Sequence, residues 1–281
     1  MGRRWSRRRI SHASRTKRGL GKGTGKTYKP YLGIRDVFSQ GMSTLVPGWT
    51  TGRQHDLFSK LELAYFLLLD WCDSVIDIRE QYPLPTEETR QVASWLRIKH
   101  PFDTRHREHI TMTTDFLYTQ IVDGVAIHVP RDIKYSEDLK DKRTRDKLKI
   151  VELYLDGLSK EGYAPWKVVT EKEIPWDTVN IILWVHPYRN FHRLGLPADM
   201  VAEIASDFSA LVANSEDSLA VLGRACDARH AAEPGTSLLV ARHLLARKLW
   251  RIDMRSPFDP GTATRIMVTS SDVAAEVRRG L

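Results

Sequence analysis

The sequence is poor in cysteine, in long apolar runs and, over its first 35 residues, in acid. Two cysteines in 281 residues exclude a disulfide scaffold, so Cys72 and Cys226 read as reduced thiols of a cytosolic protein. No apolar run approaches the roughly 20 residues that a membrane span needs. The basic start is not followed by the apolar segment of a secretory signal. A complete nucleotide-binding loop is also lacking. Gly21-Lys22-Gly23-Thr24-Gly25-Lys26-Thr27 has Leu20 where the motif needs its first glycine, and no apolar strand precedes it. Hydrophobic residues nonetheless make up 42% of the chain, enough for the core of one large or two modest domains.

The shortage of acid is local. Residues 1–30 hold 11 Lys and Arg and no Asp or Glu, whereas residues 31–281 hold 32 basic and 35 acidic residues. The net charge of +8 therefore belongs to a Gly/Ser/Thr-rich arm on a nearly neutral body. An arm of that composition is expected to be disordered alone and to bind nucleic-acid phosphates through Arg7, Arg8, Arg9, Lys17, Arg18, Lys22 and Lys26.

Beyond a loop-rich stretch to residue 52, residues 56–71 are apolar around most of a helical cylinder and predict a buried helix. Glu62 sits on that apolar surface, where a carboxylate is costly unless paired or bound to a cation. Alternation predicts a strand at 75–82, and Thr86 to Ile98 a helix that starts at Thr86-Glu87-Glu88-Thr89. Strands follow at 110–120 and 124–129 around a turn at Val122-Asp123-Gly124, with a third at 132–135. A charged helix at about 139–162 and a strand at 166–170 complete an α/β body. From about residue 175 helices dominate, at 178–193, 198–213, 218–225 and 237–248, with two strand-like segments at 249–254 and 264–269. Short helices followed by a small hairpin fit a winged-helix module.

The chemistry-bearing stretch is Thr113-Thr114-Asp115-Phe116-Leu117, a hairpin, then Asp132-Ile133-Lys134. Residues two apart in a strand share a face, so Asp132 and Lys134 point the same way. A neighbouring strand can bring Asp115 beside them, and the preceding helix can offer Glu62. Three carboxylates and one ammonium make a hard oxygen site for Mg²⁺, with Mn²⁺ able to substitute, beside a scissile phosphate. Asp-x-Lys alone is common. With the carboxylate in an apolar helix, the hairpin and the basic arm, it suggests the PD-(D/E)xK nuclease fold, which is restriction-endonuclease-like.

The chain also resembles TnsA, the endonuclease subunit of the heteromeric transposases of Tn-seven-type elements. The resemblance is carried by Ser59-Lys60-Leu61-Glu62, Arg79-Glu80-Gln81-Tyr82-Pro83-Leu84, Glu88-Thr89, Ala93, His100-Pro101, Thr113 to Leu117, Lys134, Asp146 to Tyr154 and Trp166 to Ile174. It covers about residues 55–193 in order and spacing. It implies Glu62, Asp115 and Lys134 as the catalytic set, Glu62, Asp115 and Asp132 as metal ligands, and Glu152 in support. Family members can carry Gln where Asp132 stands, which bears on that residue's role as a direct ligand. The resemblance further implies cleavage of the 5′ strands at transposon ends, with a TnsB-like transposase cutting the 3′ ends. It also implies a helical C-terminal domain that docks on a TnsC-like AAA+ ATPase.

The domains expected are an arm at 1–30, an endonuclease domain at 31–174 and a helical, winged-helix-like domain at 175–281. A free restriction- or resolvase-like nuclease and a non-catalytic winged-helix DNA-binding protein are the alternatives. The loop histidines His100, His106 and His109 lack the spacing of a zinc site. Trp166 and the other scattered tryptophans read as core or domain-seam residues.

Overall fold

The computed structural model describes residues 10–34, 36, 43–158 and 161–279. They divide into two compact units, with the break between Ile174 and Pro175. Arg7, Arg8 and Arg9 lie outside the described residues.

The first unit begins with α1 (His12–Lys17), capped by Ser11. Residues 10–30 therefore depart from the expected disordered arm. Arg15 is buried and donates to the Tyr31 carbonyl at 2.6 Å and to Asp36 at 3.0 Å. Tyr28 is buried with its hydroxyl on the Glu80 carbonyl, and the Gly25 amide donates to Asp77. Composition averages over the segment, whereas Arg15 and Tyr28 anchor it. Lys17, Arg18, Lys22 and Lys26 remain exposed.

A hairpin of β1 (Thr44–Pro47) and β2 (Gln54–Leu57) precedes α2 (Lys60–Trp71). The expected helix over 56–71 thus gives up its first residues to a strand, because Ser59 caps the helix by accepting from the Glu62 amide. Glu80 fastens the hairpin to the sheet. It pairs with Arg53 at 2.5 Å and His55 at 2.8 Å while fully buried, and these partners outweigh burial to hold its pKa down at about 2.

The main sheet has the order β3 (Val75–Pro83), β6 (Thr113–Val122), β7 (Val125–Ile133), β8 (Lys167–Val169). The first three strands are antiparallel, and β8 runs parallel to β7. Between β3 and β6 lie α3 (Thr86–Trp95) and a small hairpin of β4 (Phe102–Asp103) and β5 (Glu108–His109). Helix α3 starts at Thr86 as expected, but Pro85 holds the cap position without a side-chain bond, and the helix ends at Trp95 rather than Ile98. The crossover from β7 to β8 is α4 (Lys142–Asp156), capped by Asp141. Leu84, Val92, Ala93, Ile150, Val151 and Leu155 form the core that α3 and α4 share.

β7 runs as one strand where two were expected at 124–129 and 132–135. Both the N–H and C=O of His128 bond to the 162–164 segment, so alternation turns the missing N–H of Pro130 to that side. Pairing with β8 begins only at Arg131, and the proline breaks no ladder bond there.

The second unit holds α5 (Trp176–Val185), α6 (Ala198–Ala213), α7 (Leu219–Arg229), α8 (Thr236–Ala246) and α9 (Val273–Arg279). Two-residue strands β9 (Trp250–Arg251) and β10 (Met267–Val268) pair antiparallel between α8 and α9. Its core is built from Val201, Ile204, Phe208, Val240, Leu244 and Trp250, with the Trp250 indole N–H on Ser209 at 2.9 Å. Among the described residues no helix is long and apolar enough to cross a membrane.

Candidate active site

The β6–β7 hairpin turns on Asp123-Gly124, both residues at positive φ, 50° and 78°. Two left-handed residues give the turn whose twist matches the flanking strands, so the register is fixed locally. The ladder's last pair at the far end is Phe116 with Arg131. Asp115 and Asp132 lie one position further on each strand and therefore face one side of the sheet. Lys134 follows β7, with its backbone N–H still bonded to the Val169 carbonyl at the end of β8.

Four groups converge here. The Lys134 ammonium donates to Asp115 Oδ2 at 2.5 Å and lies 3.8 Å from Asp132 Oδ1. Asp115 Oδ2 also accepts from the Ile133 amide at 2.8 Å. Asp132 Oδ2 accepts from the Trp166 indole N–H at 2.7 Å and the Thr114 hydroxyl at 3.1 Å, which leaves Oδ1 toward Lys134. Glu62 enters from the first turn of α2. Its carboxylate accepts from the Phe58 amide at 2.9 Å and the Ser59 hydroxyl at 3.3 Å, within the field of Asp115 and Lys134. All three carboxylates are buried.

Burial, and then the Asp115 charge, push Glu62 up to about 8 and Asp132 up to about 7. Burial alone would lower Lys134, but Asp115 and Asp132 outweigh it and its pKa rises. Three carboxylates therefore face one ammonium, and the surplus negative charge is only partly relieved by proton uptake. Hard oxygen donors with unbalanced charge fit a divalent cation such as Mg²⁺ or Mn²⁺, and Glu62, Asp115 and Asp132 are the residues able to hold it.

Two neighbours escaped the sequence reading. Trp166, expected as a core or seam residue, is a hydrogen-bond donor to Asp132. Gln81 is buried in β3 at φ 49°, an uncommon conformation for a non-glycine residue. Its side chain meets Asp115 Oδ1 at 3.4 Å and the Thr113 hydroxyl at 3.2 Å. Glu152 is not drawn into this cluster of contacts. It lies on α4 and pairs with Lys149 at 2.7 Å, as a carboxylate on a charged helix face does. Among the loop histidines, His100 bonds Thr89 at 3.1 Å and His106 bonds Asp103 at 3.2 Å.

Residues 72–171 match the family described as TnsA-like endonuclease N terminal, and residues 173–254 match that described as TnsA endonuclease C terminal. The Escherichia coli protein named Transposon Tn7 transposition protein TnsA is 33% identical over 249 residues, which span 89% of this chain and 88% of that protein. Asp115, Asp132, Lys134, Gln81 and Trp166 lie inside the first matched segment, and Glu62 precedes it.

Proposed function

The chain belongs to the TnsA endonuclease family, and from that premise we propose that it is a Mg²⁺-dependent DNA endonuclease that cuts the 5′, non-transferred strands at transposon ends. The observation that carries this reading is the meeting of Glu62, Asp115, Asp132 and Lys134 at one end of the sheet. Glu62, Asp115 and Asp132 would hold the metal, whose bound form would supply an acidified water and offset charge on the scissile phosphate. Lys134 remains an ammonium, because the carboxylates raise its pKa. It therefore acts by orienting water and stabilising the charge that builds on the phosphoryl oxygens. Trp166 and Thr114 fix Asp132, and the Ile133 amide and Gln81 fix Asp115.

Within the first unit, residues 31–174 make up the nuclease domain of restriction-endonuclease-like type. The second, from 175 to 281, is a winged-helix-like domain whose wing is the short β9–β10 pair, and it docks on a TnsC-like AAA+ ATPase. Arg7, Arg8, Arg9, Lys17, Arg18, Lys22 and Lys26 contact the phosphates of double-stranded DNA. A TnsB-like transposase cuts the opposite strand, and the paired cuts release the element. The near-neutral body supports dependence on these partners for tight engagement.

The test uses DNA carrying the element's ends, with the cognate transposase and ATPase present and Mg²⁺ supplied. Asp115→Ala and Lys134→Ala are each expected to lower 5′-strand nicking by at least about a hundredfold, with 3′-strand cutting retained. Wild-type nicking in either variant overturns the site. Efficient cutting of plain plasmid by the chain alone counts against the transposition role.

A further inference from the structure

A second set of ligands lies in the C-terminal unit, apart from the carboxylate cluster in sequence and in chemistry. Cys226 is on α7, and His230 caps that helix four residues later, on the same face. Asp207 reaches across from α6. One oxygen of Asp207, Oδ2, lies 3.3 Å from His230 Nε2 and 3.9 Å from Cys226 Sγ. All three ligand atoms lie within 4.8 Å of one another. The other oxygen, Oδ1, is held by Arg229 at 3.0 Å, which orients the carboxylate and leaves Oδ2 turned to the sulfur and the imidazole.

We propose that Asp207, Cys226 and His230 bind a Zn²⁺ ion that clips the C-terminal end of α7 to α6. Tetrahedral zinc with its usual bond lengths sets an N···O edge of about 3.3 Å and an S···O edge of about 3.5 Å. The first edge is already in place, and the second needs the sulfur to approach by about 0.4 Å. Thiolate, imidazole and carboxylate are a borderline-soft set that takes Zn²⁺ or Co²⁺ and rejects Mg²⁺, the reverse of the preference of three carboxylates. Binding transfers the Cys226 thiol proton to solvent and forms the metal–sulfur bond, with no redox change. Cys226 is buried, while Asp207 and His230 each keep part of their surface open. Among the described residues no fourth Asp, Glu, His or Cys joins them. The fourth position is therefore filled by water or by a donor from outside the chain.

The proposal does not depend on nuclease activity, so its test reads no DNA cleavage. The full-length chain is titrated with Co²⁺ in excess Mg²⁺ and followed by absorption. One cobalt per chain with a thiolate-to-metal charge-transfer band is expected. The band should vanish in Cys226→Ser, persist in Cys72→Ser, and need at least tenfold more cobalt in His230→Gln. His230 is partly exposed at a helix end, so its variant remains a test even if Cys226→Ser fails to fold. Zinc should also raise the melting temperature of the wild type and leave that of His230→Gln unchanged. Absence of the band in wild type, its persistence in Cys226→Ser, or an unaltered titration in His230→Gln overturns the proposal.

Discussion

In the proposed site, the Trp166 indole is a positioning residue rather than a metal ligand. By donating to Asp132 Oδ2 it leaves Oδ1 beside Lys134. Groups that orient a ligand in this way typically tune metal affinity by about 10–100-fold. Trp166→Phe, which keeps the ring and removes the N–H, should raise the Mg²⁺ concentration for half-maximal nicking about tenfold with unchanged circular dichroism. Glu62 gives a stability test. Its folded pKa of about 8 exceeds its ordinary value of 4.5, so the folded state binds the extra proton between those values. Metal-free stability therefore falls as pH rises through that window. Glu62→Gln should melt above wild type in EDTA at pH 8, and calorimetry at pH 5 should show the gap closing. Asp115, Asp132 and Lys134 were legible in the sequence because strand alternation and an Asp-Gly turn fix which side chains share a face. Trp166 and Gln81 were not, since one arrives through a crossover helix and the other through a left-handed residue within a strand.

Element by element, legibility followed the strength of local signals. The two strands of the central hairpin were readable because the turn that joins them has its own chemistry. The extent of β7 was not, because whether Pro130 interrupts a strand depends on where a non-local neighbour begins to pair. The apolar residues Leu57 and Phe58 extend the helical pattern past the true start of α2. Ser59 decides that boundary, and it does so next to Glu62. Ser59→Ala should cost about 1 kcal/mol of stability, measured by urea unfolding. It also removes a hydroxyl donor from the Glu62 carboxylate. Gly124→Ala, at φ 78°, is expected to destabilise the hairpin by about 1 kcal/mol in the same assay. Helix α9 went unread, for its seven residues are held by burial of Val273 and Val277 rather than by a long periodic pattern.

For the whole molecule, the location of charge was plain in the sequence, but not how residues 10–30 lie against the body. Since Arg15 and Tyr28 are buried there, removing the entire arm would disturb packing as well as charge. Replacing Lys17, Arg18, Lys22 and Lys26 by glutamine separates the two effects. If these side chains meet phosphates, the slope of log affinity for duplex DNA against log salt should flatten by up to about 3–4, near 0.9 for each contact. An unchanged slope would remove the segment from the DNA-binding surface. The short hairpin also bears on the order in which the chain acquires its structure. Lys134 and Asp115 are only 19 residues apart, so their pairing closes a small loop and carries little entropic penalty. Glu62 lies much further from Asp115 along the chain, so its approach closes a larger loop at a larger entropic cost. On separation alone, the set of four is expected to lose Glu62 first under partial unfolding, leaving Asp115 and Lys134 paired without the fourth group.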